Sequence, residues 1–231
     1  MNPSARTVDF DAEPTLVDNY DRMPRLFIPA YDASHVMAAA LLRDAIGTSG
    51  TILLIGAGGG AELVCFIDTS PDWRFVATDP SSAMLDRACD KVAAKNALDR
   101  VAFHTTDARS APPGPFDAAT AFLALHFVSD DGARLDTYRA VHERLTPGAP
   151  FLLINGTSTP QTFDVDLQRY IAHARLMGAE QHWLDEALAM LRTSVHFLAP
   201  EREVALLGEA GFGRVEPFYQ GLWFRGWMAR A

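Results

Sequence analysis

The hydrophobic pattern changes its period repeatedly along the chain, and the changes mark its elements. HVMAAALLRDAI (35–46) is an apolar helical run that Gly47 ends. TILLI (51–55) is continuously apolar and too short for a helix, the pattern of a strand covered on both faces of a parallel sheet. A glycine-rich loop follows, then a helix through about Phe66. WRFVATD (73–79) predicts a second strand, and Ser81 and Ser82 are placed to cap a helix running to about Asn96. VAFHTTD (101–107) and FDAATAFLAL (116–125) predict a third and a fourth strand. DDGARLDTYRAVHERL (130–145) is an amphipathic helix stopped by Pro147-Gly148, and APFLLIN (149–155) is a fifth strand.

Strands alternating with helices imply right-handed crossovers and a doubly wound α/β sheet. After Gly156 the rhythm changes. Residues 161–192 read as helical with no strand between, and another helix covers about 200–210. Gly211 and two strand patterns, GRVEPFYQ and LWFRGWMA, close the chain. The expected fold is therefore one domain with a seven-stranded, mostly parallel, Rossmann-like sheet. Its parts are an N-terminal lid and helix (1–46), a cofactor-binding core (50–155), a helical insert (156–210) and a terminal strand pair (211–231).

Composition narrows the classes. The chain has 231 residues, 48% hydrophobic and 21% charged, an ordinary globular balance. A net charge of −9 argues against nucleic acid as partner. Cys65 and Cys89 form no CxxC, and His173, His182 and His196 lack metal spacing, so neither disulfide nor metal is expected. No apolar run approaches the ~18 residues of a membrane span. The N-terminus, with Asp9, Asp11, Glu13 and Asp18, is no signal peptide, which points to the cytoplasm. The aromatic C-terminus, with Trp223, Phe224 and Trp227, offers a face on which two copies could pair as a homodimer.

The loop Gly56-Ala57-Gly58-Gly59-Gly60-Ala61 fits GxGxxG/A, which serves dinucleotides and S-adenosyl-L-methionine (SAM) alike. Asp79, closing the second strand, suits ribose hydroxyls in either case. The stretch ATDPSSAMLDRA resembles the D-x-S-x-x-M-L signature of class I SAM-dependent methyltransferases, with Asp79, Ser81, Met84 and Leu85 in the matching places. Asp107 and Ala108 match that family's adenine contacts, a carboxylate and the next backbone N–H. FDAATAFLALHFV resembles its fourth motif, and LTPGAPFLLIN its L-x-P-G-G element, with Ala149 in place of the second glycine. The resemblance implies methyl transfer from SAM, leaving S-adenosyl-L-homocysteine (SAH), to a small-molecule acceptor. It places Gly56, Ala57, Gly58, Gly60, Asp79, Pro80, Asp107, Ala108 and Phe122 at the cofactor.

One departure is Leu54, where the family usually has an acidic residue. Glu62 is a candidate to compensate, although its place also suits interaction with its own helix N-terminus. The flanks, YDRMPRLFIPAYDASHVMAAALL and GFGRVEPFYQGLWFRGWMA, resemble the carboxy-S-adenosylmethionine synthase group, which is linked to tRNA modification. That group's arginine for the extra carboxylate has no counterpart at Ala187-Leu188, and the nearest arginine is Arg192, so plain methyl transfer is favoured. A non-catalytic cofactor-binding protein of the same fold is the further alternative. For the acceptor side, His126 after the fourth strand is the candidate general base, with Tyr31 as a second catalytic candidate. Tyr20, Arg25 and His35 are candidates for holding substrate.

Overall fold

The computed structural model describes Asp11 and residues 20–231, so the other acidic positions of the N-terminus, Asp9, Glu13 and Asp18, lie outside the described residues. A short helix α1 (Met23–Phe27) precedes α2 (Tyr31–Ile46). Then come β1 (Ser49–Ile55), α3 (Ala61–Thr69), β2 (Asp72–Asp79), α4 (Ser82–Ala94), β3 (Val101–Thr105) and β4 (Ala118–Phe122). The chain continues through α5 (Ala133–His142), β5 (Pro150–Gly156), α6 (Phe163–Leu176), α7 (Gln181–Thr193), α8 (Pro200–Glu209), β6 (Gly213–Gly221) and β7 (Phe224–Arg230).

The seven strands form one sheet in the order β3-β2-β1-β4-β5-β7-β6. Strands β1 to β5 run parallel, and β7 is antiparallel to both β5 and β6. The fold class matches the expectation, including the change of rhythm after Gly156. The apolar runs are strands because both faces are covered. Ile52 and Leu54 of β1 face one hydrophobic cluster, with α2, α3 and α4, while Leu53 and Ile55 face the other, with α5 and α8. Every residue of β4 and β5 is buried.

Among the boundaries that differ from the sequence reading, three have identifiable reasons. Helix α2 starts at Tyr31 and not at His35, after Ala30 takes a left-handed conformation (φ 55°). Strand β4 stops at Phe122 because Leu123 turns to φ 58°, its N–H donating to Ile154 O at 2.7 Å. The helical insert is broken between α6 and α7, where Gly178 has φ 87°. The aromatic C-terminus also needs correction as a pairing face. Trp223, Phe224 and Trp227 are 3%, 5% and 5% exposed, because the sheet, α6 and Phe197 bury them within the chain.

Candidate functional site

The ends of β1, β2 and β4 converge on the glycine loop. Gly56, Gly58 and Gly60 all have positive φ (66°, 51° and 77°). Two are also fixed by contact. A Cβ on Gly56 would lie 2.3 Å from the Ala124 Cβ, and one on Gly60 would lie 2.9 Å from the Ala88 Cβ. The loop is thus pressed between the exit of β4 and the face of α4, and Ala57, itself buried, ties it to β2 by donating to Thr78 O at 2.9 Å.

Asp79 completes the turn. Its Oδ2 accepts from Gly58 N–H and its Oδ1 from Ser81 N–H, each at 2.9 Å. Burial raises its pKa, and these two donors oppose the rise. Each oxygen keeps lone pairs for hydroxyl donors in the adjoining cleft. That cleft, about 490 Å³, is lined by Gly56, Gly58, Asp79, Pro80, Asp107, Ala108 and Phe122, and also by Val128, Ser129, Ala133 and Thr137. Asp107 is half exposed. Its Oδ1 accepts from Ser110 N–H at 2.8 Å and Arg109 stands 3.5 Å away. Partial burial pushes the Asp107 carboxyl up, but Ser110 and Arg109 outweigh it and hold the pKa below the usual range.

The N-terminal segment is fastened across this loop. Tyr20 lies over Gly58 and Gly59, where added Cβ atoms would sit 3.4 Å from its hydroxyl and its ring. Burial, then the nearby Asp79, Glu62 and Asp21, raise its pKa and keep it a neutral phenol. Asp21 pairs with Lys91 and, at 3.1 Å, with Arg87 on α4, and Lys91 also donates to Gly59 O at 2.7 Å. Asp11 accepts from the Ser81 hydroxyl at 2.6 Å and from Ala83 N–H at 3.0 Å, adding a cap at the same helix N-terminus.

A second cavity of about 100 Å³ adjoins the first; Tyr20, Leu123 and Phe127 line both. Its remaining walls are apolar: Met23 and Phe27 of α1, Tyr170 of α6, Met190 and Leu191 of α7, then Phe197 and Phe224. His126 is the titratable imidazole in this wall. It sits in a 3-10 turn (Leu125–Phe127) directly after β4. Its Nδ1 accepts from Gly156 N–H at 3.1 Å, and its carbonyl accepts from His196 N–H at 2.8 Å. Burial and the Arg134 charge depress its pKa to about 3, so the ring is neutral.

Behind His126 lies a buried polar network. Arg134 and Glu203, both fully buried, form an ion pair. The guanidinium also donates to Val128 O at 2.8 and 2.6 Å and to His196 O at 2.8 Å. Glu203 accepts from the Tyr138 hydroxyl at 2.6 Å. The network joins α5, α8 and both loops that carry the His126 contact.

Other candidates fall elsewhere. Tyr31 and His35 line neither cavity; they pack behind Phe122, with Tyr31 edge-on to His35 at 4.5 Å and His35 stacked on Phe122 at 5.8 Å. Burial lowers the His35 pKa to about 4. Arg25 turns outward to a two-point pair with Asp32, 2.8 Å at each contact, and its guanidinium lies over the Tyr31 ring. Leu54 is wholly buried in β1. Glu62 does not serve its helix terminus. It points inward, accepting from the Thr120 hydroxyl at 2.8 Å, and burial raises its pKa to about 8. The sequence reading missed Leu123, Phe127 and the α7 wall. The spacing of Trp183, Leu184, Ala187 and Leu191 marks a buried helical face, but not the cavity beside it.

Residues 53–151 match the family model described as a methyltransferase domain. No curated protein is similar enough in sequence to count as a relative. Among solved structures, a candidate SAM-dependent methyltransferase of Methanococcus maripaludis is 19% identical, with TM-score 0.65 over 99% of this chain and 96% of that one. An O-methyltransferase family 2 protein of Planctomyces limnophilus, solved with apigenin, is 16% identical, with TM-score 0.59 over 86% of this chain and 61% of that one. The mitomycin 7-O-methyltransferase MmcR is 19% identical, with TM-score 0.62 over 97% and 61%. The chain thus spans less than two thirds of the last two proteins. Residues 53–151, under half of the chain, match the methyltransferase-domain model, and the solved methyltransferases share the fold.

Proposed function

We propose that the chain methylates a small, largely apolar molecule, with SAM as donor and SAH as product. The observation that carries this reading is the wall of Tyr20, Leu123 and Phe127 shared by a polar-rimmed cleft and an apolar cavity, an arrangement suited to two different ligands meeting at one point. When bound, SAM supplies an activated methyl on a sulfonium, and alignment and exclusion of water supply much of the rate.

In this reading the residues of the cleft divide the cofactor among them. The glycine loop gives bare backbone for the methionyl part, Asp79 accepts from ribose hydroxyls, and Asp107 with Ala108 N–H meets the adenine. Phe122 and Pro80 supply apolar wall. Tyr20 closes over the loop. Tyr31 and His35 act from behind, holding Phe122. The synthase-like alternative is disfavoured because Ala187 lies in the apolar wall of the second cavity and Arg192 is on the exposed side of α7.

Calorimetry tests the reading. SAH should bind the folded protein, and Asp79→Ala should weaken it by about 1–3 kcal/mol, the loss of charged hydrogen bonds. Absence of SAH and SAM binding to folded protein would overturn it.

A further inference from the structure

We propose that His126 meets the acceptor as a hydrogen-bond donor and not as a base, and that the acceptor is an apolar compound whose acidic hydroxyl, phenol- or enol-like, binds as the oxyanion. The inference rests on the methyltransferase reading above and deepens it.

The argument begins with the ring nitrogens. A neutral imidazole carries one N–H and one lone pair. Gly156 N–H occupies the lone pair of Nδ1, which places the ring proton on Nε2. That bond is a backbone contact from the end of β5, fixed by the sheet, so the tautomer is set by the fold. No other side-chain hydrogen bond of His126 is made among the described residues, which leaves the Nε2–H to a ligand of the cavity. To act as a base, Nε2 would first have to lose its proton, or Nδ1 would have to give up Gly156 and strand a buried N–H.

The charged and titratable neighbours agree with a donor. Burial first, and then Arg134 behind the ring, disfavour an imidazolium. Tyr20 and Tyr170 in the walls have raised pKa values, from burial first, and remain phenols. His196, beside the His126 carbonyl, has its pKa lowered by partial burial and Arg134. An oxyanion entering this apolar space loses hydration. The Nε2–H replaces part of that hydration, and the positive sulfonium in the adjoining cleft complements the charge. In the transfer, the acceptor oxygen forms the bond to the methyl carbon. The carbon–sulfur bond breaks with its pair to sulfur. The negative and positive charges cancel, and no proton passes to the protein.

The test uses the whole chain saturated with SAH, and 4-nitrophenol as probe, since its absorbance reports its ionisation. The bound probe is expected as phenolate, with its apparent pKa below the free value. His126→Leu should weaken phenolate binding at least tenfold. His126→Gln, whose amide N–H reaches the place of Nε2–H, should restore much of it. With SAM and phenols of graded acidity, the pH midpoint of the rate should follow each phenol's own pKa. Binding of the probe as neutral phenol would overturn the proposal. So would a pH midpoint independent of the phenol, or a Gln variant as impaired as Leu. SAH calorimetry on the same three proteins separates the outcomes: if wild type fails to bind SAH, the methyltransferase reading fails, whereas intact SAH binding with any contrary result removes only the donor role.

Discussion

Replacing Glu203 by leucine tests how the wall behind His126 is held. The change removes the carboxylate that faces Arg134 and accepts from Tyr138, in a place where both charged side chains are fully buried. Arg134 would keep its bonds to Val128 O and His196 O but lose its counter-charge. Breaking a buried pair by removing one partner costs about 3–5 kcal/mol, because the remaining charge has no compensation. That is a large share of the roughly 5–15 kcal/mol that stabilises a domain. For a chain of this size, roughly 2–4 °C per kcal/mol converts the loss to a fall in Tm of about 6–20 °C. Differential scanning calorimetry and urea titration measure it. Glu203→Gln keeps an acceptor but not the charge and should fall between. A Glu203→Leu protein within about 1 kcal/mol of wild type would refute the view that this pair is essential to the framework.

Two further expectations follow from the loop and its floor. Gly56→Ala should cost about 2–4 kcal/mol, the sum of left-handed backbone strain and overlap with Ala124, and should abolish SAH binding in calorimetry; Gly132→Ala, with φ 107° but open space around it, should show the strain alone. For Glu62, the folded pKa of about 8 lies above the unfolded value near 4.5, so its contribution to stability is fully present below pH 4.5 and lost as pH rises through 8. Glu62→Gln, which keeps the Thr120 contact, should therefore gain Tm relative to wild type between pH 5 and pH 9, and an unchanged difference across that range would contradict the assignment.

The cleft proposed for the cofactor was legible because its signals are local. A five-residue apolar run, a glycine loop and carboxylates at the ends of β2 and β3 can each be recognised within a few positions. The second cavity was not, because its walls come from α1, α6, α7, Phe197 and Phe224, which only the tertiary fold assembles. Glu62 shows the same limit in one residue. Its position in the first turn of α3 suits the helix dipole, but the pairing of β1 with β4 brings Thr120 beneath it and turns it inward. His126 was singled out from its place after a strand, yet its hydrogen-bond partner is Gly156, thirty positions away, and no spacing rule carries that information.

The wall of Tyr20, Leu123 and Phe127 has a thermodynamic consequence. In the proposed reading SAH and the acceptor press on opposite sides of these side chains, and each affinity then depends on the positions those side chains leave to the other ligand. The coupling is reciprocal: whatever factor SAH contributes to the affinity of the acceptor, the acceptor contributes to that of SAH. The proposed reading therefore calls for acceptor screens to be run with SAH present.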